Sequence, residues 1–200
     1  IVLAGAFMGT ESPLTVTQML WVNLIMDTFG AMALSSLPAD PKVMLEKPRS
    51  PRSQIIDRGM GVGILGFGLV FFAALFALWL HISHRSVAVS TYDMGFFFTV
   101  FVFVQFWNLF NAKYFRTDRS LLGDIVGLLS RPREVLATYS TGFVAIVLAI
   151  LIGQVVIVNV AGDFFGVSAL PLRDWLFIIA VTFPVVLVPD LYRCLRRRAA

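Results

Sequence analysis

The chain has 200 residues, of which 58% are hydrophobic and 14% are charged, and its mean hydropathy is +0.84. These values exclude an ordinary soluble domain and indicate a polytopic membrane protein or a piece of one. The formal net charge is +4, and the single cysteine, Cys194, excludes an internal disulfide.

Apolar runs of about 20 residues, the length that crosses a bilayer, recur along the chain. The first run, Ile1–Met8, has neither the basic start nor the cleavage site of a signal peptide, so it is expected to be the end of a helix. The predicted helices are about 1–8 (partial), 14–37, 59–82, 94–113, 137–160 and 174–192. The predicted fold class is therefore an all-α membrane protein, a bundle of five complete transmembrane helices plus the end of a sixth.

All but two of the 16 Lys and Arg residues lie in alternate connections between these helices. They fall in residues 42–58, in residues 113–133 and in the C-terminal segment 193–198, whereas Arg85 and Arg173 lie on the other side. The positive-inside rule then places the three basic segments, and with them the C-terminus, in the cytoplasm. Nucleic acid is not an expected partner, because beside membrane spans such charges reflect topology and contact with anionic lipid.

The second helix carries a carboxylate in the middle of a span, in the stretch "MLWVNLIMDTFG" (19–30). A charge at the centre of a membrane helix costs at least ~2.5–3.5 kcal/mol, so Asp27 needs a partner. Asn23 lies four residues earlier, one turn away on the same face. The two side chains offer oxygens to a hard cation such as Ca²⁺, although fewer than its full coordination shell needs. From these residues alone, an ion or proton site and hydrogen-bonded helix packing both stay open.

Three amides lie on one later helix, in "VFVQFWNLFNAK" (102–113). Gln105, Asn108 and Asn111 follow at i, i+3 and i+6, and amides in an otherwise aromatic span must face protein or a wet cavity rather than lipid. For Gln105, lining of an ion pathway and plain packing are equally open. Asn108 is a second candidate for the pathway lining, but packing is favoured for it and for Asn111.

The stretch "PLTVTQMLWVNLIMDTFGAMALSSLPADP" (13–41) resembles the sixth membrane helix and following cytoplasmic loop of P-type calcium-transporting ATPases, most closely the plasma-membrane type. "FVFVQFWNLFNAK" resembles the eighth helix of that group, and "DWLFIIAVTFPVVLVPDLYRCLRR" resembles its tenth. In the family's order, the chain is then the end of helix five followed by helices six to ten, the C-terminal membrane domain.

The resemblance implies that Asn23 and Asp27 are side-chain ligands of the transported Ca²⁺. Met26 and Gln105 fall where two-ion reticulum-type pumps carry a Thr and a Glu. A thioether and an amide cannot replace a hydroxyl and a carboxylate around Ca²⁺, so one ion per cycle is expected. Asp27 would alternate between the ion and returning protons. Gly30 either loosens the helix there, so that carbonyl oxygens reach the ion, or simply packs.

The 200 residues contain no phosphorylation motif, no nucleotide domain and no fourth helix of the family. The resemblance therefore implies a membrane part, inactive alone, of a pump whose Mg²⁺ and ATP sites lie in other domains, with the bilayer and the N-terminal part of the same pump as partners. The chain ends after "RCLRRR" without the calmodulin-binding tail of animal pumps, so we expect a tail-less pump in a plasma or bacterial inner membrane.

Three alternatives stay open at this point. One is a secretory-type P-type pump for Mn²⁺ and Ca²⁺, which has the same Asn, Met and Asp pattern. Another is a self-contained proton- or cation-coupled carrier that uses Asp27. The last is a non-catalytic membrane scaffold or degenerate gene product, for which mutation of Asp27 would have no effect.

Overall fold

The computed structural model describes residues 1–9, 12–39, 56, 58–85, 89–115, 117 and 119–199. The side chains of residues 25–27, 58, 59 and 192–199 lie outside this description, as does most of the first basic connection, residues 40–55. The residues divide into two compact units, Ile1–Pro13 with Ala39–Val89 and Leu14–Pro38 with Ser90–Ala200.

The described residues form helices and turns without a strand. In chain order the helices are α1 (Val2–Phe7), α2 (Val16–Asn23), a π turn (Leu24–Phe29), α3 (Gly30–Ser35), α4 (Arg58–Arg85), α5 (Thr91–Lys113), α6 (Leu121–Ser130), α7 (Pro132–Leu136), α8 (Thr141–Asn159), α9 (Gly162–Phe165), α10 (Leu172–Thr182) and α11 (Pro184–Ala199).

The first unit contains α1 and the long helix α4. α4 has 28 residues, and large apolar side chains such as Val62, Leu65 and Leu69 are exposed along it. A helix with this length and such an apolar surface suits a bilayer, in which lipid rather than water covers the side chains.

The second unit is organised around α5, which packs against α3, α8, α10 and α11. Ser90 and Asp93 form a capping box at its start, so the first backbone N–H groups of this span are satisfied. Its phenylalanines supply much of the core: Phe97, Phe98, Phe103 and Phe106 are buried. A central aromatic helix therefore fixes the positions of the helices around it.

Four helical runs in the described part of the chain are long and apolar enough to cross a membrane: Met60–Arg85, Thr91–Lys113, Thr141–Asn159 and Leu172–Leu191. α2, the π turn and α3 form a further uninterrupted helical run from Val16 to Ser35. The predicted fold class, an all-α transmembrane bundle, is confirmed.

Prolines and glycines account for several irregular features. The last span is divided into α10 and α11 at Pro184, which has no backbone N–H and whose ring clashes with the preceding turn. Gly166 ends the short helix α9 with a φ of +69°, a left-handed conformation that glycine adopts without strain.

Two short helices that the hydropathy pattern did not predict, α6 and α7, follow α5.

Candidate cation site

The predicted ligand pair lies where the second membrane helix departs from α-helical geometry. α2 ends at Asn23, and residues Leu24–Phe29 form a π turn that includes Met26 and Asp27. A π turn closes its hydrogen bonds from i to i+5, is rare, and occurs frequently at functional sites. The side chains of Met26 and Asp27 lie outside the described residues, so their predicted roles remain predictions.

Asn23 is the member of the pair whose side chain is described. It is exposed, and among the described residues no hydrogen bond engages its amide. An amide in a membrane span that has no partner among the described residues needs one from elsewhere, either another part of the protein or a ligand. Its carbonyl oxygen is of the type that Ca²⁺ accepts.

The N-terminal end of α2 is held in place by hydrogen bonds. Thr15 and Gln18 form a capping box, and the Gln18 Nε2 also donates to the carbonyl oxygen of Phe165 in α9 at 2.9 Å. Gln18 is fully buried. The start of the helix is therefore joined to the end of α9, far away in sequence.

A second set of hydrogen bonds holds α2 just before Asn23. Trp21 Nε1 donates to Gln154 Oε1 of α8 at 3.3 Å, and Gln154 Nε2 donates to Thr99 Oγ1 of α5 at 3.3 Å. The neighbouring Gly153 leaves room for the indole, since a Cβ there would lie 2.7 Å from the Trp21 ring. These contacts join three helices directly upstream of the π turn.

Gln154 is a residue that our sequence analysis missed. It is 1% exposed and lies inside the apolar run of α8, whose other amide, Asn159, is the last residue of the helix. The signal was present in the sequence, because an amide at membrane depth must find a partner within the protein. What the sequence does not contain is the identity of that partner, Trp21, which lies 133 residues away.

The segment that follows the π turn is also anchored. Gly30 and Ala33 are buried in α3, which packs against α8 and α5. Ser36, at the end of α3, lies 2.7 Å from Ser140, the N-cap of α8, measured between their Oγ atoms. The irregular backbone lies upstream of Gly30, which itself packs, so the π turn is bounded by α segments that are fixed on both sides.

The amides of α5 fall into two groups. Gln105 and Asn108 are half-buried. Within the described part of the chain, neither side chain forms a hydrogen bond with Asn23 or with any other residue. Asn111 is 6% exposed, and its Nδ2 donates to the carbonyl oxygen of Val185 in α11 at 2.8 Å. Asn111 thus joins two helices, as the packing interpretation predicted, whereas pathway lining by Gln105 and Asn108 stays a prediction.

A separate polar cluster lies at the C-terminal end of α5, centred on the buried carboxylate of Asp124 in α6. Tyr114 donates its hydroxyl to Asp124 at 2.8 Å, Arg119 donates to it from Nη2 at 2.8 Å, and Lys113 Nζ lies 3.6 Å away. Lys113 also stacks over the Tyr139 ring at 3.7 Å. This satisfied cluster carries a structural role, since each charge in it has a partner of opposite sign or an aromatic face.

The two tyrosines of this cluster stay protonated at physiological pH. Burial, followed by the hydrogen bond to Tyr139, raises the pKa of the Tyr114 hydroxyl well above its usual value. Burial also raises the pKa of Tyr139. Tyr114 therefore acts as a neutral donor to Asp124, and its hydroxyl lies 2.6 Å from that of Tyr139.

Among the described residues, no three His, Cys, Asp or Glu side chains come together in a way that could hold a metal ion. The described part of the candidate site consists of the exposed amide of Asn23, the backbone of the π turn and the contacts that fix both ends of that turn.

Comparison with known proteins identifies the family. The family described as "Cation transporting ATPase, C-terminus" matches residues 11–195. Plasma membrane calcium-transporting ATPase 1 of Oryctolagus cuniculus is 31% identical over 189 residues, which are 90% of this chain and 14% of that protein. Plasma membrane calcium-transporting ATPase 3 of Homo sapiens is 32% identical over 192 residues, covering 90% and 15%. The ATPase 1 of Gallus gallus is 31% identical over 187 residues, covering 88% and 14%.

The chain spans 14–15% of the length of these curated relatives. The resemblance that "WVNLIMDT" and "FVFVQFWNLFNAK" carry is confirmed by matches along nearly the whole chain. The chain belongs to the cation transporting ATPase C-terminal family, and it is homologous to the C-terminal membrane region of P-type calcium-transporting ATPases.

Proposed function

We propose that this chain is the membrane part of an ATP-driven pump that exports Ca²⁺ from the cytoplasm, with Asn23 and Asp27 as side-chain ligands of the transported ion. The relatives support the ion, because those named above are calcium-transporting ATPases. The observation that carries the assignment of the site is the π turn Leu24–Phe29, which begins directly after Asn23 and contains Asp27.

The π turn supports ion binding through its backbone. Where hydrogen bonds shift from i+4 to i+5, carbonyl oxygens leave the regular α ladder, and such oxygens are suitable ligands for Ca²⁺. Irregular backbone at membrane depth is tolerated where it lines a site. Asn23 adds an exposed amide oxygen, and Asp27 adds the negative charge. The other ligands of the six to eight that Ca²⁺ takes would come from membrane helices elsewhere in the longer protein.

The fixed ends of the π turn give the site its rigidity. Trp21 is held by Gln154 on one side, and Ser36 by Ser140 on the other. Both partners belong to α8 or its N-cap. Contacts with α8 therefore fix the segments on either side of the irregular turn. A site that is positioned in this way loses little conformational entropy when it binds an ion.

The number of ions and the counter-ion follow from the side chains. The Met26 thioether is a poor ligand for Ca²⁺ and the Gln105 amide lacks the charge of a carboxylate, so we propose one Ca²⁺ per cycle. Asp27 would accept a proton when the ion leaves, because a carboxylate in a membrane span is costly without its cation. Mg²⁺ and ATP would bind in cytoplasmic domains of the longer protein, on the side where we place the C-terminus of this chain.

The test uses the full-length protein that carries this chain, with Asp27→Asn and Asn23→Ala variants. Mutation of residues that merely orient a metal ligand costs about 10–100-fold in affinity, so loss of a ligand itself should cost at least about 100-fold. The measurements are Ca²⁺-dependent phosphorylation by ATP and ⁴⁵Ca²⁺ uptake into vesicles, which also gives the ratio of Ca²⁺ to ATP. The expected ratio is one.

The matched controls are Asp163→Asn and Asn159→Ala. Asp163 is exposed in α9, and Asn159 bonds only to the Val155 carbonyl of its own helix, among the contacts described. Both variants should keep full Ca²⁺ affinity. Undiminished phosphorylation of the Asp27→Asn variant would refute the ligand assignment. Inhibition of Ca²⁺ transport by an equal concentration of Mn²⁺ would favour the secretory-type pump.

A further inference from the structure

The helix α6 is oriented inversely to a surface helix of a soluble protein, because its carboxylate faces inward and its outer face is apolar. Asp124 is buried, as are the N-cap Ser120 and the apolar Leu121, and Gly127 is half-buried. Asp124 binds Tyr114, and a Cβ at Gly127 would lie 2.9 Å from Val135 of α7. The inward face of α6 therefore contains the one carboxylate of this helix.

The opposite face of α6 is apolar and exposed. Ile125, Val126 and Leu129 share this face at helical spacing, and Leu129 is 90% exposed. In water such a face would be unfavourable, whereas in the acyl region of a leaflet it is stabilised by about 25 cal/mol for each Å² that is buried. The orientation of α6 is thus explained if lipid lies on its outer side.

The depth of α6 is fixed by contacts at the ends of two spans. In its N-terminal turn, the backbone N–H of Leu122 donates to the Asp190 Oδ2 at 2.8 Å. Lys113, the last residue of α5, lies 3.6 Å from Asp124. Because both anchors lie at the ends of candidate spans, we expect α6 at the boundary between acyl chains and headgroups.

Basic side chains continue from this helix into α7. Arg131 and Arg133 are exposed, and the Arg131 guanidinium lies 3.7 Å from the exposed Glu134 carboxylate, a pair that solvent screens. Residues 113–136 contain more basic than acidic residues. The surface charge beside the apolar face of α6 is therefore complementary to anionic headgroups.

An open groove of about 380 Å³ lies beside these residues, between α7 and the first half of α8. It is walled mainly by apolar side chains and is long enough to run along two turns of α8. Its lining residues are Leu136, Tyr139, Thr141, Val144, Ala145 and Leu148. Arg133 precedes the lining residue Leu136 by one turn of α7, so a basic residue lies close in sequence to the apolar groove.

We propose that α6, α7 and the first half of α8 form a docking surface for an anionic phospholipid, with Leu129 in the acyl layer, Arg131 and Arg133 on the headgroup, and an acyl chain in the groove. Interfacial amphipathic helices bind membranes through this combination of apolar burial and basic charge. The surface is separate from the candidate cation site, and its test does not depend on ion transport.

The depth of α6 is tested with the full-length protein, depleted of other cysteines and placed in nanodiscs of phosphatidylcholine and phosphatidylserine. A nitroxide is attached at Leu129→Cys, with Leu148→Cys as the acyl reference and Asp163→Cys as the aqueous reference. Collision with oxygen and with a soluble nickel complex measures depth. The label at position 129 should match position 148, and a label as accessible to nickel as that at position 163 would overturn the proposal.

The charge requirement is tested by native mass spectrometry of the detergent-solubilised protein, titrated with phosphatidylserine. One basic residue near a lipid surface contributes about 1 kcal/mol, so the Arg131→Gln/Arg133→Gln variant should bind this lipid about 25-fold more weakly. Arg173→Gln, at the other end of α10 and α11, is the control and should bind normally. Equal affinity of the double variant and the control would overturn the proposal, whatever its Ca²⁺ transport.

Discussion

At the scale of single residues, Asn111 and Pro189 are coupled through one backbone carbonyl. Pro189 lies inside α11 and has no N–H, so it cannot bond to the carbonyl of Val185, four residues earlier. Asn111 of α5 donates its Nδ2 to that carbonyl at 2.8 Å. An unsatisfied carbonyl at membrane depth is costly, so the amide compensates for the proline.

We predict that Asn111→Leu destabilises the full-length protein by about 1–3 kcal/mol, because it leaves the Val185 carbonyl without its donor. In a Pro189→Ala background the restored N–H can bond to that carbonyl, so the same substitution should cost much less. Apparent melting temperatures in detergent measure the double-mutant cycle. Asn159→Leu, which removes an amide bonded within its own helix, should have little effect, and an equal cost of Asn111→Leu in both backgrounds would contradict the coupling.

At the scale of elements, the sequence predicted the residues of the candidate site but not the π turn that contains them. An α and a π turn differ only in which carbonyl each N–H meets, and the composition of "LIMDTF" is compatible with either. The choice depends on anchors at both ends, Trp21 on Gln154 and Ser36 on Ser140. These contacts join residues more than 100 positions apart, which local patterns do not reveal.

The π turn leads to a prediction of its own. Each hydrogen-bonded ring of a π turn contains one residue more than a ring of an α-helix. Deletion of Ile25 should therefore allow regular α-helical hydrogen bonds through this segment, while Trp21 and Gly30 stay on the helix faces that they occupy now. The deletion should therefore leave the melting temperature of the full-length protein unchanged or higher. Its apparent Ca²⁺ affinity should fall at least about tenfold, as expected when ligands lose their orientation.

The control for this deletion is Ile25→Val, which keeps the chain length and should retain Ca²⁺ affinity within a factor of about three, since Ile→Val substitutions are typically mild. Affinity is measured as the Ca²⁺ concentration that gives half-maximal phosphorylation by ATP. A deletion variant that binds Ca²⁺ normally would show that the π turn has no part in the site.

At the scale of the whole molecule, the bilayer explains why the fold class could be predicted from sequence. Span length and the position of Lys and Arg are imposed by the membrane and are visible in hydropathy alone. Contacts inside the bundle have no such external rule. The roles of Gln154 and Asp124 depend on which helices are neighbours, as does the inverted orientation of α6. The sequence contains these residues but not their partners.

The basic residues predict the orientation of the bundle in the membrane. Glu134 in α7 and Asp163 in α9 are both exposed and lie on either side of one span, α8, so they must face opposite sides of the membrane. Five basic residues accompany the Glu134 side, from Lys113 to Arg133. By the positive-inside rule, we expect Glu134 on the cytoplasmic side and Asp163 on the outer side.

We therefore predict that, in intact cells, a membrane-impermeant maleimide labels an Asp163→Cys variant of the full-length, cysteine-depleted protein but not a Glu134→Cys variant. Permeabilisation should then make Glu134→Cys reactive. The reverse pattern would place the C-terminus outside, whereas labelling of both variants in intact cells would mean that α8 does not span the bilayer. Native Cys194, restored alone, should behave like Glu134→Cys, because a single span, Leu172–Leu191, separates it from the outer side.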